Sequence, residues 1–385
     1  MIRRFLFALT ALALTFPALA IVPSPPQVSA TAYLLIDAES GAILAEQNAD
    51  QPVPPASLTK MMTSYILAGE ITEGRVAETD MVVVSENAWS QNPVFKGSSL
   101  MWIEPGKDVS IADLQRGIIV SSGNDATVAV AEHVAGSEAV FVDMMNANAE
   151  KLGMVDTYYT NSHGLPDPNH VTTARDLATL AKAMIEHHPE QYAIYKEREF
   201  TYNDIRQYNR NTLLAEDPTV DGLKTGHTEE AGYCLVASAE RRGMRLISVV
   251  MGTSSKRARK NQTSSLLNYG FRFYETSEIY APLTELDKPR VWKGQVDYVS
   301  AGVLEQTILT LPRGKKKNLV TSVSIDDEII APLAVGDAVG TVTLTLDGET
   351  VHHAPVVALE AVEPGSFFSR LWDMLLMWIA SLFSA

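Results

Sequence analysis

The spacing of apolar residues divides the chain into a long first part and a shorter second part. In the first part, apolar stretches at 33–36 and 42–45, joined around Ser40 and Gly41, predict a β-hairpin. Further strands are predicted at 232–238 and 245–252, followed by a helix at 259–269. Strands at both ends that enclose a helical middle indicate an α/β (α+β) domain at 21–276, in which helices flank a mainly antiparallel sheet.

After residue 277 the pattern changes to short alternating strands separated by turns. Such strands are predicted at 306–311, 320–325 and 340–346, with turns at 312–314 and 347–348. We therefore expect a small all-β domain at 277–363.

The first 20 residues have the features of a secretory signal peptide. Arg3 and Arg4 precede an apolar run at 5–14, and Pro17 precedes the small-x-small triplet 18–20. The run is too short to span a bilayer. We therefore expect cleavage after Ala20 and secretion of the mature chain across the cytoplasmic membrane.

The last 20 residues predict an amphipathic helix at 366–385. Large apolar side chains cover most of it, which is typical of a helix that lies in a membrane interface. The alternatives are a helix docked on its own protein and a membrane span, although Arg370 and Asp373 interrupt the latter. At helical spacing, the polar side chains form one stripe: Ser366, Ser369, Arg370, Asp373, Ser381 and Ser384.

Composition narrows the classes of protein to consider. The formal net charge of −15 and the pI near 5.0 argue against nucleic acid as a partner, so any anionic ligand needs a local basic site. The single cysteine, Cys234, excludes an internal disulfide framework and a cysteine-based zinc cluster. We expect no metal ion and no cofactor.

A serine and a lysine three residues apart form the first candidate for chemistry. Ser57 and Lys60 lie in the first turn of a helix predicted from Pro54 to Leu67, where residues three apart share a face. A neutral lysine can take the proton of a serine hydroxyl and so activate it as a nucleophile. A neutral lysine at pH 7 requires a lowered pKa. Burial of the amine lowers the pKa, and a nearby cation would lower it further.

Two further motifs follow in the chain. Ser122-Gly123-Asn124 lies at a predicted turn between two buried helices, which would hold its side chains firmly. The same S-x-N pattern occurs at 85–87 and 90–92, in a polar loop. Lys224-Thr225-Gly226 ends a predicted edge strand, where lysine and threonine can bind a carboxylate and glycine can admit a substrate backbone.

S-x-x-K, S-D-N and K-T-G are the signature of penicillin-binding proteins and class A β-lactamases, and this chain has Ser122-Gly123-Asn124 in the place of S-D-N. At these residues the sequence resembles the serine D-alanyl-D-alanine carboxypeptidases, the low-molecular-mass penicillin-binding proteins of bacterial envelopes. The resemblance covers the peptidase domain, the small β domain and the C-terminal anchor. The longer matches are 122–126, 163–165, 221–227 and 270–273.

The resemblance implies a role for each residue of the motifs. Ser57 is expected to be the acylated nucleophile, Lys60 its base and Ser122 a proton relay. Asn124 would hold Lys60 and the substrate amide, and Lys224 would keep Lys60 neutral. Thr225 and Arg259 would bind the terminal D-alanine carboxylate, while the backbone N–H groups of Ser57 and His227 would form the oxyanion hole.

The expected partners are the peptidoglycan stem peptide, β-lactam antibiotics and a membrane surface. By the same resemblance, the protein would work in the periplasm, peripherally anchored to the outer face of the cytoplasmic membrane. One alternative is a β-lactamase, whose E-x-x-x-N loop is matched by Glu199 to Asn203, although its spacing before Lys224 does not fit. The other is a non-catalytic envelope protein that binds penicillin or peptidoglycan.

Overall fold

The structure is a computed structural model that describes residues 22–383. The predicted signal peptide at 1–20 lies outside these residues. The strands before residue 256 are β1 (Ala32–Asp37), β2 (Ile43–Gln47), β3 (Met81–Val83), β4 (Asp108–Ser110), β5 (Glu199–Tyr202), β6 (Ile205–Tyr208), β7 (Val220–Thr228), β8 (Gly232–Arg241) and β9 (Met244–Thr253).

The helices of the first part of the chain, up to residue 273, lie mostly between β2 and β7. They are α1 (Lys60–Thr72), α2 (Ile111–Arg116), α3 (Asn124–Ala135), α4 (Glu138–Lys151), α5 (Ala174–His187), α6 (Pro189–Tyr192), α7 (Leu213–Glu216) and α8 (Lys256–Phe273).

The main sheet has the strand order β2-β1-β9-β8-β7, and every pairing is antiparallel. Successive side chains of a strand point to opposite faces. In β1, Leu34 packs with the helical layer that contains α1, whereas Leu35 packs with α8 on the other face. The predicted antiparallel sheet flanked by helices is therefore confirmed.

Strand β7 forms one edge of this sheet, and its register places Lys224 on the side of the helical layer. Lys224 pairs with Val236, and Val236 pairs with Val249. These two valines belong to the core beneath α1. Because directly opposed residues in an antiparallel sheet share a face, the amine of Lys224 lies on the same side of the sheet as α1.

The segment before α1 differs from the predicted helix. Residues Ala56–Thr59 form a 3-10 helix, and α1 begins at Lys60. A 3-10 helix has three residues per turn, so side chains three positions apart eclipse one another. This turn therefore aligns Ser57 with Lys60 more closely than an α-helix would.

Two glycines allow other segments to pack against this turn. A Cβ atom on Gly226 of β7 would lie 2.8 Å from the carbonyl oxygen of Pro55. Gly164 has a φ of +86°, and a Cβ atom there would overlap the carbonyl oxygen of Ala56. Glycine at both positions lets β7 and the loop at 163–165 reach the turn that carries Ser57.

The second part of the chain is built from strands, as predicted. Thr276 donates a hydrogen bond to Asp37, and Thr310 bonds Ser40, so the two parts contact each other through β1 and the β1–β2 turn. The strands are β10 (Tyr274–Tyr280), β11 (Thr284–Asp287), β12 (Ala301–Val303), β13 (Thr307–Pro312), β14 (Leu319–Ile325), β15 (Ala338–Leu346) and β16 (Glu349–Ala358). β10 pairs with β13, and the other five form a sheet in the order β11-β12-β16-β15-β14.

The final helix, α9 (Phe367–Phe383), contacts the second part of the chain through Asp373. Asp373 is buried and accepts hydrogen bonds from the backbone N–H of Lys293 at 2.6 Å and from Arg290 at 3.5 Å. Within residues 22–383, no helix combines the length and the apolar character needed to cross a membrane. The apolar side chains on the outer side are exposed: Phe367, Phe368, Leu371, Trp372, Met374 and Leu375.

The packing at Gly164 generates a prediction about stability. We expect Gly164→Ala to destabilise the fold by about 2–4 kcal/mol, because left-handed backbone strain and a steric overlap add together. Gly41→Ala is the matched control, since Gly41 also has a positive φ of +73° but nothing within 4 Å of the added Cβ. Urea unfolding of both variants measures the difference, and equal losses of stability would contradict the packing argument.

Candidate active site

The residues predicted from the three motifs meet at one cavity of about 440 Å³. The cavity lies between the Ser57 turn, the turn before α3, strand β7 and the loop at 163–165. Lys60 and Lys224 are buried beneath it and bond to side chains that line it. The predicted residues in its wall are Ser57, Ser122, Asn124, Thr225, Gly226, His227 and Arg259.

The amine of Lys60 has three partners. Nζ lies 3.1 Å from Ser57 Oγ, 2.6 Å from Asn124 Oδ1 and 2.5 Å from the carbonyl oxygen of His163. Asn124 Nδ2 donates to Ser98 Oγ, which is consistent with Oδ1 facing the lysine. Two of the three partners, Asn124 Oδ1 and the carbonyl oxygen of His163, can only accept hydrogen bonds. A neutral amine that donates to both of them keeps its lone pair for the Ser57 hydroxyl.

Burial sets the protonation state of Lys60. It lowers the pKa of the lysine to about 7, against the opposing effect of the Asp125 carboxylate and with the help of the Arg210 guanidinium. The Asp125 carboxylate also holds a neighbouring backbone segment in place, because it accepts hydrogen bonds from the backbone N–H groups of Met101 and Trp102. A pKa near neutrality gives a substantial population of the free base under physiological conditions.

Lys224 is the second buried amine of the site. Its Nζ donates to Ser122 Oγ at 2.8 Å and lies 3.3 Å from the carbonyl oxygen of Thr225. Burial holds the pKa of Lys224 well below its usual range, and the charges of Lys60, Arg210 and Arg259 lower it further. Because the Lys60 charge lowers the pKa of Lys224, the two amines are electrostatically coupled, and the expected part of Lys224 in keeping Lys60 neutral stays a prediction.

Ser122 reaches Lys224 because its backbone is left-handed. It follows a π-helical turn at Gly117–Ser121 and has a φ of +60°. Non-glycine residues in this conformation are uncommon, and they often mark functional turns. The turn presents the Ser122 hydroxyl to the cavity, while α3 begins at Asn124.

The other S-x-N strings have different surroundings. Ser85 and Asn87 both donate hydrogen bonds to Glu132, and Asn92 caps the short turn at Pro93–Phe95. Neither serine of these strings lines the cavity. The structure therefore brings only Ser122-Gly123-Asn124 to Ser57.

The side chain of Arg259, on α8, contacts the end of β7. It donates to the carbonyl oxygens of Gly226 at 3.3 Å, Cys234 at 3.4 Å and Arg210 at 3.3 Å. Its guanidinium is largely buried, and burial lowers the pKa of Arg259 to about 10. A Cβ atom on Gly226 would face Pro55 and Leu58, and the expectation that Gly226 admits a substrate backbone stays a prediction.

His163 had no role that the sequence could supply. Its carbonyl oxygen accepts from Lys60, and its Nδ1 accepts from the backbone N–H of Leu165 at 3.1 Å. Burial lowers the pKa of His163 to about 3, with Lys60 adding to the effect, so the ring is neutral. The loop thus contributes a backbone acceptor rather than a titrating side chain.

Glu199 lies away from the cavity. It is on the β5–β6 hairpin, where it forms an ion pair with Arg206, and Asn203 forms the turn of that hairpin. In the described part of the chain, the residues that line the cavity include no aspartate or glutamate. The E-x-x-x-N string therefore does not supply a carboxylate base to this site.

The fold and the site together define a serine hydrolase of the penicillin-binding class. Two family models match the chain: D-alanyl-D-alanine carboxypeptidase at residues 20–255, and the C-terminal domain of penicillin-binding protein 5 at 274–364. The D-alanyl-D-alanine carboxypeptidase DacC of Escherichia coli is 46% identical over 387 residues, which cover 99% of this chain and 96% of that protein.

Solved structures agree with these matches. Penicillin-binding protein 5 from Haemophilus influenzae superposes with a TM-score of 0.86 at 43% identity, covering 89% of this chain and 99% of that one. Penicillin-binding protein D2 from Listeria monocytogenes, solved in its ampicillin-bound form, has a TM-score of 0.57 at 31% identity over 65% of this chain and all of that one. The chain belongs to the D-alanyl-D-alanine carboxypeptidase family and is a serine-type carboxypeptidase.

Proposed function

We propose that Ser57 is the nucleophile that forms an acyl-enzyme with the penultimate D-alanine of a peptidoglycan stem peptide. The observation that supports this most directly is the 3.1 Å contact between Ser57 Oγ and a Lys60 amine whose other two partners are acceptors. In its neutral form Lys60 takes the Ser57 proton as the oxygen attacks the peptide carbonyl.

The proton must then reach the departing D-alanine. Ser122 lies in the cavity wall and is bonded to Lys224, so its hydroxyl can accept a proton and pass it to the leaving amine. Collapse of the tetrahedral intermediate releases D-alanine. Water subsequently attacks the Ser57 ester with the same groups acting in reverse, which regenerates the free enzyme.

Substrate binding involves the remaining residues of the motifs. We assign the terminal carboxylate to Thr225 and Arg259, beside the buried amine of Lys224. Asn124 can contact the substrate amide while it holds Lys60. The oxyanion would be stabilised by the backbone N–H groups of Ser57 and His227, so the His227 side chain is not required.

β-Lactams would acylate the same serine, as the ampicillin-bound form of the Listeria relative suggests. The leaving amine of an opened β-lactam remains tethered to the acyl group and obstructs water. No glutamate stands in the described wall of the cavity to activate that water, which argues against the β-lactamase alternative. The buried amines beside Ser57 argue against a non-catalytic binding protein.

The domain division and the location remain part of the proposal. We propose a signal peptide at 1–20, a catalytic domain at 21–276, a small β domain at 277–363 and an anchoring helix at 366–385. The mature protein would then work in the periplasm, held peripherally at the outer face of the cytoplasmic membrane. The exposed apolar side of α9 and the docking of Asp373 on the opposite side support an interfacial orientation.

Replacement of the nucleophile tests the catalytic proposal. Ser57→Ala should abolish both peptide hydrolysis and covalent labelling by benzylpenicillin, and Lys60→Arg should block acylation because a guanidinium stays protonated. Intact mass and peptide mapping of the labelled protein measure this. Ser85→Ala is the control and should be labelled normally. A label mapped to Ser122, or persistent in Ser57→Ala, would overturn the assignment.

Removal of the last helix tests the anchor. A chain without residues 366–385 should remain in solution when mixed with phospholipid vesicles, with hydrolysis of small peptides unchanged. In the full-length protein, Phe368→Ser with Leu371→Ser should weaken vesicle binding by up to about a thousandfold, because each buried apolar side chain contributes about 2 kcal/mol.

The matched control for the anchor is Val155→Ser, which removes an exposed apolar side chain from another part of the surface. It should bind vesicles like the wild type. Release of the full-length protein by high salt as complete as its release by detergent would contradict apolar anchoring.

A further inference from the structure

Arg210 lines the active-site cavity, although no sequence motif points to it. It follows the β5–β6 hairpin, and its Nε donates to the carbonyl oxygen of Ser121 at 3.3 Å. Ser121 immediately precedes the Ser122 turn. The Arg210 side chain is thus placed beside the groups that handle the leaving group.

The loop around Arg210 is held on both sides. Asn209 Nδ2 donates to the carbonyl oxygen of Glu197 at 3.0 Å, and buried Asn211 donates to that of Gly222 at 3.0 Å. The carbonyl oxygen of Arg210 accepts from Arg259 at 3.3 Å. These contacts fix the backbone, so that a ligand need not order this segment on binding.

The two arginines of the cavity differ in the N–H groups they have available. Arg259 uses three of its five N–H groups on backbone carbonyls. Arg210 uses Nε on Ser121, and its two terminal nitrogens have no hydrogen-bond partner among the described residues. Because no carboxylate side chain of the described cavity wall competes for them, these nitrogens suit an anionic ligand.

We propose that Arg210 is a second guanidinium for the terminal carboxylate of the substrate and a determinant of specificity for free-acid over amidated peptides. This inference rests on the proposed function of the Ser57 site. A carboxylate has about four lone-pair sites, which exceeds what Thr225 and the remaining N–H groups of Arg259 supply in good geometry. The guanidinium of Arg210 would donate hydrogen bonds to the carboxylate lone-pair sites that remain.

The charge of Arg210 also provides a readout that a merely structural residue would not change. The charged and titratable groups that face Lys60 are Asp125, Lys224, Arg210, His163 and His170. Arg210 lowers the pKa of Lys60, so removing its charge raises that pKa. The acidic limb of the kcat/KM profile should consequently move to higher pH, because Lys60 must be neutral to act as base.

The experiment compares Arg210→Gln, Arg210→Lys and wild type in the mature full-length protein. The substrates are a D-Ala-D-Ala peptide with a free carboxylate and the same peptide with a C-terminal amide. At a pH above the acidic limb of both proteins, Arg210→Gln should raise KM for the free acid about 10- to 100-fold and leave KM for the amide unaffected, which lowers the preference between them. Arg210→Lys keeps the positive charge, so the acidic limb of its kcat/KM profile should stay in place. Its preference for the free acid over the amide should be recovered only in part, because an ammonium lacks the planar fork of a guanidinium.

The matched control is Arg257→Gln, which removes one positive charge from the exposed side of α8 outside the cavity. It should behave as wild type. An unchanged acid-to-amide preference in Arg210→Gln, or an equal loss on both substrates, would overturn the inference. Benzylpenicillin labelling of Ser57 in wild type separates this failure from failure of the proposed function, which would instead place the label elsewhere.

Discussion

Burial of the Lys60 amine is the constraint on which the rest of the site depends. Removing an ammonium group from water costs free energy. Burial therefore shifts the protonation equilibrium of Lys60 toward the neutral amine. The two acceptors that hold this amine come from separate segments, Asn124 at the start of α3 and the backbone of His163. Their arrival at one point requires close packing, which explains why glycine stands at 164, next to His163.

The electrostatics of the cavity are opposite to those of the whole chain. The protein has a formal charge of −15, yet the wall of its active site carries Arg210, Arg259 and Lys256 and, among the described residues, no acidic side chain. Burial is the main cause of the lowered pKa of Lys60 and Lys224, and neighbouring positive charges, among them Arg210, lower it further.

Sequence reasoning predicted the parts of the fold that depend on local periodicity. Apolar runs located the buried strands, and the spacing of Ser57 and Lys60 predicted their contact. The 3-10 turn before α1 was not predicted, because its geometry depends on packing against β7 and the loop at 163–165. The contributions of Arg210 and the His163 carbonyl depend on long-range contacts. No spacing along the chain reveals an acceptor that belongs to the backbone.

The central claim is that Lys60 is a free base near neutral pH, and its titration tests this most directly. Protein with ¹³Cε-labelled lysine, in which the Lys60 resonance is assigned through the Lys60→Arg variant, can be followed by NMR from pH 5 to pH 10. The account predicts a midpoint near pH 7, with the ammonium form predominating below it and the neutral amine above it. A Lys60 resonance that remains that of an ammonium up to the usual range near pH 10 would contradict the account.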